Sequence, residues 1–293
     1  MSHIQLPNQL AGKGTPLRDR VFMWLLFVSL AIGVFTLAVL LTYVTIKGWP
    51  RLDIRLFTNM PSVRDPENAG AQSAITGTLW VISFTALVAL PTGVMAALYL
   101  EEFARPHSRS QRFIEVNIQN LAAVPSIVYG ILGLAVFARA LALGQSVITA
   151  ALTLALLVLP VIIISTREAL RAVPRNIRDG SLALGATEWQ TAYRQTLPAA
   201  IPGIATGTIL ALSRAIGEAA PLLLLGAVSF ITFNPDGVLS DYTTLPIQIF
   251  NWTKDSREEF QVLAAATIVV LLLILLAMNF VAIWIRNKTQ KRW

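Results

Sequence analysis

Arg214 and Glu218 stand four residues apart inside Ile204–Val228, an otherwise apolar stretch long enough to cross a bilayer. A charge at the centre of a membrane helix costs about 2.5–3.5 kcal/mol on insertion scales, so an ionisable pair there points to function. A guanidinium is permanently charged and offers five donors in a planar fork that matches a tetrahedral oxyanion bidentately. Glu218, at i+4, can neutralise it at rest and be exchanged for substrate. The same spacing also suits a static salt bridge that joins this span to its neighbours, and the residues alone leave both uses open. Ser126 and Tyr129, beside Pro125, add hydroxyl donors that could line such a pathway. Gly203-x-x-x-Gly207 permits close helix approach, and packing is its expected use.

The elements that hold these groups are set by composition. The chain has 293 residues, 55% hydrophobic and only 13% charged, with a mean hydropathy of +0.64. An all-α integral membrane protein is expected. Six apolar segments of spanning length occur: Val21–Ile46, Gly77–Leu100, Ile118–Phe137, Val147–Ser165, Ile204–Phe230 and Val262–Ile285. The first is too long for a signal-peptide core and reads as a retained anchor. The expected layout is an arm (1–20), a first span (21–46), a five-helix core (77–285) and a tail (286–293).

Charge orients the spans. Fifteen Lys and Arg fall in the N-terminal arm, the 101–116 and 166–203 connections and the tail, against seven in the alternate connections. Both termini are therefore expected in the cytoplasm. The net charge of +7 follows from this bias, and without basic–aromatic clusters it does not suggest nucleic acid. Trp24, Trp49, Trp80, Trp252 and Trp284 fall near span ends, where such rings prefer the interface. Pro91, Pro125, Pro160 and Pro221 lie inside spans and favour kinks. Cysteine is absent, and His3 and His107 stand alone, so no metal site is expected. Gly12-Lys13-Gly14-Thr15 lacks phosphate-loop spacing, and no nucleophile–base set appears. The chain is expected to be neither an enzyme nor a cofactor carrier.

The longest cytoplasmic connection, Thr166–Ile201, reads as ordered. Pro174 opens a helix that Gly185 stops, and Thr187 with Gln190 forms a capping box for a second short helix. Trp189, Ala192, Tyr193 and Leu197 fall on one expected apolar face, with Pro198 and Pro202 closing the segment. The resulting helix–turn–helix fits packing on its own bundle and docking to another protein equally well.

Asp179-Gly180-Ser181-x-x-x-Gly185, then Gln195-x-Leu197-Pro198 nine residues later, resembles the coupling motif E-A-A-x-x-x-G-(nine)-I-x-L-P of ABC-importer permeases. Gly185, Leu197 and Pro198 match; Asp, Gly and Ser replace Glu, Ala and Ala, and Gln195 replaces Ile. Further segments are similar to permeases of the bacterial high-affinity phosphate importer. They are Ala97–Phe103, Val124–Gly130, Leu184–Thr187 and Ser213–Leu222, with Pro246–Trp252 similar to the A-type of its two permeases. Glu218-Ala219-Ala220-Pro221 stands where that family has Glu-Thr-Ala-Pro, so a hydroxyl is missing.

The resemblance implies a six-span type I permease of the bacterial inner membrane that imports inorganic phosphate by alternating access. It implies a homologous C-type second permease, two ATPase subunits that use ATP and Mg, and a periplasmic or lipid-anchored phosphate-binding protein. It assigns ATPase coupling to Asp179, Gly180, Ser181, Gly185, Thr187, Trp189, Leu197 and Pro198. Rival expectations are a permease for sulfate or molybdate, a membrane sensor subunit, and an ion-coupled carrier, which the lack of other intramembrane carboxylates disfavours.

Overall fold

A computed structural model describes residues 17–104, 108–227 and 230–289. Contacts divide the chain into two units, Met1–Lys47 and Gly48–Trp293. The described part of the first is almost all of helix α1 (Leu17–Gly48), whose apolar side chains are exposed along its length. Nothing in the helix itself buries them, which suits a helix surrounded by lipid.

The regular elements of the second unit are helices among the described residues, with one isolated β-bridge between Ser146 and Asp241. Its helices are α2 (Ile54–Thr58), α3 (Gln72–Leu98), α4 (Arg109–Ala123), α5 (Ser126–Gly133), α6 (Val147–Arg171) and α7 (Arg175–Ala183). They continue with α8 (Glu188–Thr191), α9 (Leu197–Gly217), α10 (Ala220–Leu224), α11 (Leu245–Lys254) and α12 (Glu258–Thr289). Among the described residues, five helical stretches are long and apolar enough to span a membrane, or six if one bent pair counts as a single span.

Helices α3, α6 and α9 form the centre, with α6 in the middle. Small residues set their approach: a Cβ at Gly203 would lie 2.6 Å from Ala169 Cβ, and one at Gly207 would lie 2.1 Å from Ser165 Oγ. The Gly203/Gly207 pair is thus a packing device. Several buried hydroxyls return to their own helix. Thr78, Thr85, Thr153 and Thr267 each donate to the carbonyl four residues earlier, so they cost little in an apolar interior.

Two expected spans are not continuous. The segment Ile118–Phe137 is broken: Arg109–Ala123 and Ser126–Ala140 meet at 100°. Pro125 lacks an N–H and drives Val124 out of helical geometry (ψ 131°), which ends α4. The segment Ile204–Phe230 breaks at Glu218, whose ψ is 109°, before α10. By contrast α3 runs through Pro91 and α6 through Pro160.

The helix–turn–helix also differs from expectation. Pro198 and Pro202 do not close it, because one helical rod runs from Glu188 to Gly217. A π turn at Ala192–Thr196 precedes Pro198, and its wider ring (Leu197 N–H to Ala192 C=O) adjusts the ladder where proline has no donor. That turn also shifts the register. Thr191, Ala192 and Thr196 face inward, whereas Trp189 and Tyr193 are exposed.

Candidate substrate pathway and coupling surface

Arg214 occupies the last turn of α9, and Glu218 lies just past its end. Arg214 Nε is 3.3 Å from Glu218 Oε1. The Arg214 side chain is 51% exposed, that of Glu218 18%. This is a single-point contact, and the terminal nitrogens of the fork make no bond among the described residues. Gly217 borders open space as well. An arginine held on one edge keeps a bidentate face for an oxyanion.

The two broken spans meet beside this pair. A Cβ at Gly130 would fall 2.7 Å from Pro221 Cα, so α5 and α10 touch backbone to backbone. Tyr129 joins the buried cluster that holds Ala211, Ala215 and Ile216 of α9, and Arg214 acts on it electrostatically. Its hydroxyl donates to Leu121 C=O at 2.8 Å, across the Pro125 bend. Tyr129 therefore fastens the bend. Ser126, in the first turn of α5, is partly exposed.

Two sets of polar contacts escaped sequence reasoning. Ser213 Oγ donates to Asn279 Oδ1 at 2.6 Å, tying the Arg214 turn to α12. Asn279 is an amide in a long apolar span, which was the available signal. At the other end, Glu101 accepts from Arg167 and Arg171, Glu115 from Arg167, and Glu102 from Arg178 at 2.7 Å. Arg178 also donates to Leu170 C=O at 2.9 Å, so α7 is anchored to the ends of α3 and α6.

Each residue expected in the coupling element can be placed. Helix α7 stops at Gly185 with φ +86°, a left-handed conformation that glycine adopts without strain. Ala186 N–H returns to Ser181 C=O and Gly185 N–H to Leu182 C=O, a paired helix stop. Thr187 and Gln190 cap each other reciprocally. Ser181 Oγ lies 2.9 Å from Thr191 Oγ1, which locks the two arms together. Trp189 packs between Phe103 and Tyr193, with centroids at 5.7 and 6.2 Å. Leu197 packs on the buried Leu170/Val173 cluster, while Asp179, Gly180 and Pro198 are exposed. Leu184, 91% exposed, projects at a cavity of about 400 Å³ between the arms.

Residues 89–291 match the family described as "Binding-protein-dependent transport system inner membrane component". The chain is 32% identical over 272 residues to the phosphate transport system permease protein PstA 1 of Mycobacterium tuberculosis, covering 92% of this chain and 84% of that one. It is 30% identical over 272 residues to PstA of Haemophilus influenzae, covering 92% and 94%. It is 31% identical over 265 residues to the probable ABC transporter permease protein YqgI of Bacillus subtilis, covering 86% and 90%. Among solved structures, a bacterial ABC transporter involved in the import of the acidic polysaccharide alginate superposes with a TM-score of 0.62 at 15% identity, covering 94% and 99%. An all-α fold with that likeness, and a family match across most of its length, place the chain among the multi-pass inner-membrane permeases of ABC importers, which are not catalytic themselves.

Proposed function

We propose that the chain is the A-type permease of an ATP-driven phosphate importer, with Arg214 as the anion-binding charge of the pathway. The observation that carries this is the state of that side chain. It is half-exposed at a helix break and bound to Glu218 through one nitrogen only. Single-point exposed ion pairs contribute about 0.2–1 kcal/mol, little enough for an arriving phosphate to displace the carboxylate. The two PstA relatives support phosphate as the anion.

The rod Glu188–Gly217 gives the mechanism its shape. Trp189 near one end and Arg214 near the other lie about 40 Å apart at 1.5 Å per residue. The close contacts of Gly203 and Gly207 with α6 act as its fulcrum. Movement of the ATPase subunits against the 175–197 hairpin would thus reach the Arg214 turn without a flexible joint. A C-type second permease would complete the pathway, and a phosphate-binding protein would deliver substrate from the opposite side. Both termini would lie in the cytoplasm.

Anion competition tests the substrate. In vesicles that contain the assembled transporter, excess unlabelled phosphate should suppress ATP-dependent uptake of labelled phosphate, and equal sulfate or molybdate should not. Stronger suppression by sulfate or molybdate would reassign the substrate.

A further inference from the structure

We propose that a basic cavity between α4, α6 and α7 binds the headgroup of an anionic phospholipid. The cavity has a volume of about 630 Å³ and is lined by Arg112, Arg171, Arg175, Glu101, Glu115 and Gln111, among others. Its carboxylates are already spoken for: Glu101 accepts from Arg167 and Arg171, and Glu115 from Arg167. Arg112 and Arg175 have no acidic partner among the described residues, so the cavity keeps excess positive charge.

Backbone electrostatics point the same way. Arg175 is the first residue of α7, and Arg112 lies at the start of α4. Neither helix has an acidic residue in its first turn. Two helix N-termini, each carrying positive partial charge, thus converge with arginines that sit at the unfavourable end of the dipole. A bound anion relieves both repulsions at once.

The surroundings select a lipid over a soluble anion. A second cavity of about 340 Å³ adjoins the first, sharing Leu100, Ala104 and Gln111; Tyr99, Phe103 and Ile114 line it further along for a chain, and Ser108 and Ser110 for the polar part of a headgroup. On α4, Phe113, Ile114 and Val116 are exposed beside Arg109 and Arg112, the make-up of a helix lying in the membrane interface. Basic pockets at the interfacial ends of membrane helices recognise phosphate-bearing headgroups in this manner.

The test uses the full-length chain in neutral detergent, with phosphatidylglycerol, phosphatidylcholine and inorganic phosphate titrated separately and read by native mass spectrometry. Saturable retention of phosphatidylglycerol over phosphatidylcholine is expected. Joint Arg112→Gln and Arg175→Gln substitution should weaken it by about tenfold or more, whereas the Arg→Lys pair should keep most of it. An unchanged thermal midpoint in the Gln pair guards against misfolding. Equal retention of both lipids, an unaltered Gln pair, or displacement by millimolar inorganic phosphate would overturn the proposal.

Discussion

Arg214 and Glu218 stand out in the sequence by rarity, since charge inside an apolar span is costly, and the structure pairs them at 3.3 Å. What spacing could not tell was that Glu218 lies past the helix end, because a break depends on how Pro221 meets Gly130 across the bundle. The Glu218→Gln variant should lower the apparent KM for phosphate about 2–5-fold by removing a competitor of that modest strength. It should also lower the maximal rate, since release then lacks a replacement for the anion. Uptake kinetics in vesicles read both, and an unchanged KM would mean that the pair is a static bridge. Tyr129 shows the reverse case. A hydroxyl beside a proline suggested a pathway donor, but its bond to Leu121 C=O spends that donor on the bend. Tyr129→Phe should therefore cost stability by about 0.5–1.5 kcal/mol, read as a lowered thermal midpoint, with phosphate KM unmoved.

The glycine stop and the capping box at 185–190 follow from local chemistry, and the structure carries both as the sequence implied. Local chemistry did not reveal that the second arm continues as a transmembrane rod, because Pro198 normally ends a helix. The π turn that lets the helix pass is a property of the whole ladder, not of one residue. The ion pairs of Glu101 and Glu102 with Arg167, Arg171 and Arg178 were equally hidden, since they join residues far apart in sequence. At this scale Gly207→Leu should be severe. Its side chain would meet Ser165 and force α9 from α6, costing about 1–3 kcal/mol and lowering the thermal midpoint of the purified protein. Trp189→Ala should leave the fold intact and lower the phosphate moved per ATP hydrolysed, because it trims the exposed hairpin that an ATPase would grip. Tight coupling in that variant would remove Trp189 from the contact surface.

At the scale of the molecule, hydropathy and family likeness agree on a multi-pass permease, and the exposed apolar length of α1 suits a chain that lives among lipid and partner subunits. Trp189 of the proposed coupling hairpin and Arg214, the proposed anion-binding charge, lie on one helical rod, so the account stands on Arg214 being the charge that phosphate meets. The direct measurement is ATP-dependent uptake of labelled phosphate by vesicles that hold the assembled transporter, wild type beside Arg214→Gln, with ATPase activity recorded in parallel. Loss of one charge-assisted contact of up to about 3 kcal/mol predicts uptake reduced about 100-fold, with basal ATP hydrolysis and assembly retained. Uptake at the wild-type rate in that variant would contradict the account.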